Sequence, residues 1–322
     1  MRRRMTTYIV RRLLHSFVII IIVSIIVFLL LRALPGDPIL MIMAQNANME
    51  WTPEAIEALR ASKGLTDPLP IQYFRWFSMM LRGDFGKSII HNYNVGEQLK
   101  SKAAVSLMVG GSAFLIALFV GPFLGIVSAI RRGSFVDNLV TVFANIGITA
   151  PQFWIAILLI FLFSMRLELL PIYGYTLPWE NFGLCLKQSV LPVFVTALGP
   201  IATSARQTRS SVLEILGEDY IRTAWAKGMN ERKVLLKHVL KNSLMPVVTL
   251  QGQMLRFIIG GSVVVERVFV IPGMGKFMVD AMLGRDYTVV QSVTVVMTAV
   301  VVLSSLAVDL LYGWIDPRIQ YD

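Results

Sequence analysis

Residues 83–88, GDFGKS, contain a Gly-Lys-Ser sequence of the kind that cradles phosphate groups. A nucleotide-binding loop of that type follows the pattern G-x-x-x-x-G-K-[ST]. The first position of the pattern falls on Leu81, so the spacing fails. The chain also contains no G-x-S-x-G, H-E-x-x-H or C-x-x-C pattern. We therefore expect no catalytic residues in this chain, and we expect that it is not an enzyme.

The side chains that most often bind metal ions are few and scattered. The single cysteine, Cys185, can form neither an intrachain disulfide nor a thiolate metal cage. The three histidines, His15, His91 and His238, lie far apart and show no ligand spacing. The sequence therefore predicts no metal site and no cofactor bound by this chain.

The composition indicates a membrane protein. Hydrophobic residues make up 55% of the chain and charged residues only 16%, whereas soluble domains are about 25% charged. The charges cluster in short segments between long apolar runs. The net charge of +10 is therefore better explained by membrane topology than by nucleic-acid binding, so we expect contact with a lipid bilayer and no nucleic-acid partner.

Six apolar stretches are long enough to cross a bilayer, whose core of about 30 Å requires roughly 20 residues of helix. The first stretch is too long for a signal peptide and is followed by no small-residue cleavage site, so we interpret it as a span. Pro122, Pro151 and Pro200 predict kinks or breaks. The six stretches are residues 13–31, 103–130, 138–165, 188–205, 242–265 and 287–308.

The distribution of Lys and Arg predicts the orientation of these spans. The N-terminal segment carries five Arg and no acid, and the loop between the fourth and fifth spans carries eight Lys or Arg against four acids. By contrast, residues 35–102 carry seven basic and seven acidic residues. We therefore expect both termini and the loop at 206–245 to be cytoplasmic.

The sequence also suggests a division of the chain into three parts. Residues 1–34 form a cytoplasmic N-terminal segment and the first span, residues 35–102 an extracytoplasmic segment with short helices, and residues 103–322 a five-span core that includes the loop 206–245. In the second part, Thr52, Pro53 and Glu54 form a typical helix start. The aromatic stretch 71–81 is either a small helical cap on the membrane surface or a docking surface for an outside partner.

The loop 206–245 contains a charged segment with helix signals. Glu218 and Asp219 suit the positive end of a short helix, and Lys227 suits the negative end. Gly228 is placed to end that helix in the left-handed conformation, and Asn230 can cap a second one.

Tyr220, Ile221, Ala224 and Trp225 are spaced to share one face of the first short helix. A helix this short is not stable alone in water, so this face must pack on something. It packs either on the membrane part of its own chain or on a cytosolic partner.

The sequence of this segment and of several others resembles a known family, the membrane permeases of ABC importers, in the branch that carries dipeptides, oligopeptides and nickel. The resemblance extends from one end of the chain to the other. It rests on RRLLHSFVIIIIVSIIVFLLLRALPGDP, LRGDFGKS, RSSVLEILGEDYIRTAWAKG, HVLKNSLMPVV, VFVIPGMGKFMVDAMLGRDYTVVQ and DLLYGWIDPRI. It implies an all-α polytopic protein with six transmembrane helices, the type I ABC importer permease fold, in the bacterial cytoplasmic (inner) membrane.

The short segment departs from the general loop pattern of such permeases, E-A-A-x-x-x-G followed by I-x-L-P. Arg222, Thr223 and Ala224 stand in the place of E-A-A, and Lys241 falls where the proline would be. Trp225 occupies a position that is more often Arg in this branch. The tryptophan enlarges the apolar face and removes one charge.

The resemblance implies a machine of several chains. A second, related permease completes the pathway, two cytosolic ATPases bind ATP and Mg²⁺ and drive transport, and a substrate-binding protein docks outside. The residues implied to contact an ATPase are Glu218, Asp219, Tyr220, Arg222, Thr223, Ala224, Trp225, Ala226, Lys227 and Gly228. Substrates implied are di- or oligopeptides, with nickel chelates, glutathione or opines as alternatives.

Candidate residues for the substrate pathway come from polar side chains within apolar stretches. Arg256 lies deep within the fifth stretch, and an ionisable residue at that depth is a pathway residue, part of a structural pair or a side chain that snorkels towards the membrane surface. Gln251, Gln253 and Gln152 are further candidates. A stand-alone channel or secondary transporter is the alternative function. It would require ion-coupling carboxylates within the spans or an inverted repeat, and the sequence shows neither clearly.

Overall fold

The computed structural model describes residues 2–33, 39, 42–43, 51–254 and 263–315. All regular elements in these ranges are helices, and a single isolated bridge joins Lys87 and Asn94. The helices, in chain order, are α1 Arg2–Ala33, α2 Pro53–Ser62, α3 Leu69–Leu81, α4 Val95–Ile130, α5 Phe135–Thr149, α6 Gln152–Leu159, α7 Phe182–Leu216, α8 Asp219–Ala226, α9 Glu231–Val234, α10 Leu240–Met254, α11 Val263–Val268, α12 Met274–Leu283 and α13 Tyr287–Ile315. Helix α6 continues as π-helical turns Ile160–Arg166, and α9 as Leu235–Val239.

Four of these helices are long and apolar enough to cross a membrane: α1, α4, α7 and α13. A fifth candidate is the pair formed by α5 and the α6 segment, which bend by 111° where Pro151 interrupts the helix. The break predicted at Pro151 is therefore confirmed, while Pro122 and Pro200 lie inside continuous helices. The fifth apolar stretch, 242–265, begins in α10 and then passes outside the described residues.

The chain divides into two compact units. The first contains the described residues up to 105 and those from 272 to 306, and the second contains the described residues from 106 to 271 and from 307 to 315. The three-part division expected from topology concerns location relative to the membrane, and it stays a prediction.

In the first unit, a buried carboxylate organises the turn that contains GDFGKS. Asp286 accepts hydrogen bonds from the Ser88 hydroxyl and from the backbone N–H of Ile89 and Val289. The backbone N–H of Ser88 donates to the carbonyl of Tyr93 at 2.9 Å, which closes the turn. Burial and the nearby Asp286 carboxylate raise the pKa of Tyr93 above its usual value. The glycine-rich motif thus serves as a hydrogen-bonded turn on α13.

The helix start predicted at Thr52 is confirmed, because the Thr52 hydroxyl accepts a hydrogen bond from the backbone N–H of Ala55 at 3.2 Å. Helix α3 packs its aromatic side chains on α1: Trp76 lies beside Phe28, and the Tyr73 hydroxyl lies 2.8 Å from the Ser24 hydroxyl. The aromatic stretch therefore has an inner face that packs within its own chain.

In the second unit, α5 and α10 pack against α7. Helix α4 approaches α7 so closely that a Cβ atom added to Gly125 would lie 2.5 Å from the carbonyl oxygen of Ala205. On α5, a Cβ atom at Gly147 would lie 2.7 Å from that of Ala202. Small residues at such contacts let helix backbones approach, which is how helices associate where no hydrophobic effect drives them together.

Candidate functional site

The segment between α7 and α10, residues 218–239, folds as two short helices as its sequence indicates. Its start is set by Gly217, which ends α7, and by Asp219 in the first turn of α8. Gly228 follows with φ +73°, a left-handed conformation that suits glycine and strains other residues. Asn230 caps the second helix by accepting a hydrogen bond from the Arg232 N–H at 3.0 Å. We call this region the short-helix segment.

One face of α8 is buried against its own chain. Ile221 is 0% exposed and Ala224 is 7% exposed. Both belong to an apolar cluster with Ala129 of α4, Val212 of α7 and Val234 of α9. This contact explains how a helix of eight residues is held in a fixed position without a partner chain.

The other side chains of α8 are exposed. Tyr220 is 42% and Trp225 43% exposed, and the Tyr220 hydroxyl accepts a hydrogen bond from the Asn242 amide at 3.1 Å. Arg222 forms a surface ion pair with Asp219 at 3.3 Å. The four apolar residues predicted to share one face of α8 therefore form two surfaces. Ile221 and Ala224 anchor the helix on its own chain, whereas Tyr220 and Trp225 are exposed. Glu218, Thr223, Ala226, Lys227 and Gly228 are exposed as well.

The predicted set of ATPase-contact residues includes Ala224 and omits Ile221. In the structure Ala224 is buried in the anchor, whereas the other nine residues of the set are exposed. Ile221 is the larger anchor residue, and its signal was available, because it lies three residues before Ala224 on a helix.

A cavity of about 450 Å³ lies in the second unit among α4, α6, α7 and α10. Gln152 and Gln253 line it together, although they lie on different helices. The two threonines of the lining donate their hydroxyl protons to their own helix, Thr196 to the Pro192 carbonyl at 2.8 Å and Thr203 to the Gly199 carbonyl at 2.9 Å. The two glutamine amides are then the side-chain N–H donors of the lining that a ligand could use.

The third glutamine points elsewhere. Gln251 is buried, and its amide nitrogen donates to the Ser204 hydroxyl at 2.7 Å, which joins α10 to α7. It does not line the cavity that contains Gln253. Arg256 lies outside the described residues. The structure thus brings two of the four pathway candidates to one cavity and gives Gln251 a contact between helices.

An ion pair that the sequence did not predict joins α5 to α7. Arg209 of α7 donates two hydrogen bonds to Asp137 of α5, from Nε at 2.7 Å and from Nη2 at 2.9 Å. The same carboxylate accepts from the Ser128 hydroxyl at 2.5 Å and from the Gly133 N–H at 2.9 Å. Asp137 is 3% exposed. Both residues flank apolar stretches, but nothing in the sequence pairs residues so far apart.

A second buried acid was also missed. Glu266 of α11 is 0% exposed and accepts a hydrogen bond from the Ser106 hydroxyl of α4 at 2.6 Å. Among the described residues, no three His, Cys, Asp or Glu side chains form a group that could hold a metal ion.

Comparison with known proteins gives two kinds of match. Residues 121–321 match the family described as binding-protein-dependent transport system inner membrane component, and residues 5–109 match the N-terminal region of membrane components of such systems.

Individual relatives match over almost their whole length. The chain is 38% identical over 317 residues to a probable peptide ABC transporter permease protein of Sinorhizobium fredii, covering 98% of this chain and 100% of the relative. It is 38% identical over 320 residues to an oligopeptide transport system permease protein of Bacillus subtilis, with the same shares covered. It is 39% identical over 319 residues to a putative peptide permease protein of Brucella suis, covering 98% of this chain and 99% of that protein.

Proposed function

Because the chain belongs to the family of binding-protein-dependent transport system inner membrane components, it is a multi-pass permease subunit of an inner-membrane ABC transporter, and we propose that it forms half of an import pathway for di- or oligopeptides. The peptide substrate is supported by the names of the relatives at 38–39% identity. A second, related permease supplies the other half. The alternative substrates are nickel chelates, glutathione and opines.

We propose six spans in the type I importer arrangement, with both termini and the loop 206–245 in the cytoplasm. The distribution of Lys and Arg supports this orientation. Within it, residues 1–34, 35–102 and 103–322 are the N-terminal segment with the first span, the extracytoplasmic segment and the five-span core. Cys185 makes the orientation testable, because it is the only cysteine and it is buried.

The orientation test places single cysteines at Lys227 and at Trp179, both exposed, in a Cys185→Ser background. A membrane-impermeant maleimide added to intact cells should label the cysteine at position 179 and should label the one at 227 only after the membrane is opened. Labelling of position 227 in intact cells would overturn the proposed orientation.

The short-helix segment is the proposed contact for a cytosolic ATPase, which binds ATP and Mg²⁺ and hydrolyses the nucleotide. The observation that carries this proposal is the two-faced character of α8. Ile221 and Ala224 anchor the helix on its own chain, while Tyr220 and Trp225 remain exposed at 42% and 43%. A movement of the ATPase that displaces the exposed face of α8 is therefore transmitted to α4 and α7 through the buried face. The proposed contact consists of the exposed residues of the predicted ATPase-contact set, which are Glu218, Asp219, Tyr220, Arg222, Thr223, Trp225, Ala226, Lys227 and Gly228.

The coupling test replaces Trp225 with Asp, which puts a charge into the proposed apolar contact. Reconstituted with both ATPases, the second permease and the binding protein, the Trp225→Asp variant should hydrolyse ATP without importing peptide. Arg222→Glu tests the charged part of the same surface. The matched control is Trp179→Asp, because Trp179 is 70% exposed on a loop that we place outside the cell. Full uptake in the Trp225→Asp variant would refute the contact.

The cavity that contains Gln152 and Gln253 is the proposed part of the substrate pathway in this subunit. Its size and its two amide donors suit a peptide backbone, whose carbonyl groups accept hydrogen bonds. Arg256 and Gln251 remain candidates of the same proposal, Gln251 acting through its contact with Ser204.

The substrate is tested by uptake of labelled dipeptide, pentapeptide, glutathione and nickel chelate into proteoliposomes that contain the assembled transporter. Peptide uptake that requires ATP and the binding protein supports the proposal. Uptake that persists without any ATPase would indicate a stand-alone channel or secondary transporter instead.

A further inference from the structure

A second cavity, of about 330 Å³, lies in the first unit and is strongly basic. It is bounded by the end of α1, by α2 and α3, by the turn after α3 and by α13. Four of the side chains that line it are cations: Arg32, Lys63, Arg75 and Lys87. No Asp or Glu is among the described residues that line it.

Two buried hydrogen-bond donors in the lining have no partner in the part of the chain that the structure describes. Trp76 is 8% and Gln291 3% exposed, and both residues line the cavity. Neither the indole nitrogen of Trp76 nor the amide nitrogen of Gln291 has a hydrogen-bond partner among the described residues. Burying a hydrogen-bond donor without an acceptor costs free energy. Buried donors are therefore normally paired with an acceptor from the protein, from water or from a ligand.

The positive charges of the cavity are only partly compensated within the unit. Arg75 forms an ion pair with Asp67 at 2.7 Å. The Arg32 guanidinium donates to the neutral amide oxygen of Gln72, from Nη2 at 2.9 Å. No carboxylate of a described residue lies within ion-pair distance of Lys63 or Lys87. With respect to the described residues, the cavity therefore combines two lysines that have no carboxylate partner with two N–H donors that have no acceptor, which is the chemistry of an anion site.

We propose that this cavity binds a phosphate group, either the headgroup phosphate of an anionic phospholipid or free inorganic phosphate. A phosphate presents several strong acceptor oxygens and negative charge, so it can accept from N–H donors and from cations at once. Arg32 lies in the last turn of α1, a candidate membrane span, so the cavity opens near the level where lipid headgroups lie.

The test uses the full-length chain purified with its co-purifying subunits. The site variant is Lys63→Gln with Lys87→Gln, and the matched control is Lys100→Gln with Lys102→Gln, because those two lysines belong to the same unit and do not line the cavity. One arm measures retention of phosphatidylglycerol against phosphatidylcholine from mixed nanodiscs by native mass spectrometry. The other arm measures thermal stabilisation of delipidated protein by inorganic phosphate against chloride at equal ionic strength.

The site variant should lose preference for phosphatidylglycerol, or stabilisation by phosphate, by about tenfold or more, since each lysine near an anionic surface contributes substantially to binding. A response confined to the lipid arm identifies a headgroup site, and a response confined to the phosphate arm identifies a free-ion site. If the unsubstituted protein responds in neither arm, or if the site variant and the control lose binding equally, the proposal is overturned.

Gln291→Leu provides a second variant that separates binding from folding. The amide nitrogen of Gln291 has no partner among the described residues, so its removal should leave the melting temperature of the ligand-free protein unchanged or higher. The same variant should weaken binding in the arm that responds. Unchanged binding in both arms would contradict a ligand at this donor.

Discussion

Arg209 holds the Asp137 carboxylate by two parallel hydrogen bonds, 2.7 Å from Nε to Oδ1 and 2.9 Å from Nη2 to Oδ2. The pair joins the first turn of α5 to α7, and Ser128 and Gly133 complete the contacts of the carboxylate. Bidentate pairs of this kind fix the relative orientation of the two side chains and also contribute more binding energy than a single hydrogen bond. This contact therefore sets the position of α7 close to the point where α7 leads into the short-helix segment.

Replacing Arg209 with Ala should destabilise the protein by about 3 kcal/mol, because the buried Asp137 charge loses its partner. Asp137→Asn combined with Arg209→Gln should recover part of that loss, since no unpaired charge remains. The measurement is thermal unfolding of the purified permease chain without its ATPase partners. Asp219→Asn is the control: it breaks an exposed pair with Arg222 and should not shift the unfolding temperature measurably. Equal shifts in the Arg209 and Asp219 variants would contradict the account.

Gly125→Ala should prevent close packing of α4 on α7. The added Cβ atom would lie 2.5 Å from the Ala205 carbonyl oxygen and 2.6 Å from the Thr208 Cβ atom, so the helices must separate. We expect a lower unfolding temperature and less assembled transporter in detergent extracts. Gly111→Ala is the control on the same helix, because a Cβ atom there meets nothing within 4 Å. An unchanged Gly125→Ala protein would show that the helices do not pack this closely.

Ile221→Ala should destabilise the anchor of the short-helix segment by about 2–4 kcal/mol, because it removes a fully buried side chain from an apolar cluster. Trp225→Ala, on the exposed side of the same helix, should leave the stability of the permease nearly unchanged. Thermal unfolding of the two variants side by side makes the comparison. If Trp225→Ala lowers the unfolding temperature more than Ile221→Ala does, the assignment of Ile221 to the buried face of α8 and of Trp225 to its exposed face is contradicted.

Asp286→Ala should release the turn that contains GDFGKS. The substitution removes the acceptor of the Ser88 hydroxyl and of the Ile89 N–H, so these buried donors lose their partner at a cost of about 1–3 kcal/mol. Limited proteolysis should then cut after Lys87 faster than in the parent protein. Asp280→Ala is the control, because Asp280 is a partly exposed carboxylate of α12 that forms an ion pair with Lys276 one helical turn away. No change in cleavage after Asp286→Ala would show that the carboxylate does not hold the turn.

The elements that depend on local rules were predictable. Lipid imposes a minimum length of apolar helix, so α1, α4, α7 and α13 follow from composition alone. Helix ends at Thr52, Gly228 and Asn230 follow from capping, because each cap involves residues within one turn. The break at Pro151 was predicted by the same kind of rule, but Pro122 and Pro200 carry the same signal and lie inside continuous helices, so the local rule did not decide which proline breaks a helix.

The faces of those helices were not predictable in the same way. Gln251 and Gln253 are two residues apart in an apolar stretch, yet one is buried against Ser204 and the other lines the cavity. Positions two apart on a helix point in very different directions, and only the packed neighbours decide which direction faces a cavity. For the same reason Ile221 became an anchor while Tyr220 beside it stayed exposed.

The sequence by itself determined that this chain is a polytopic permease, because hydrophobic run length and family motifs are properties of consecutive residues. Tertiary structure alone decided the pairing of Asp137 with Arg209 and the gathering of Arg32, Lys63, Arg75 and Lys87 around one cavity. Residues so distant along the chain meet only when helices pack. The contacts are then set by the shape of many side chains at once and by no local pattern.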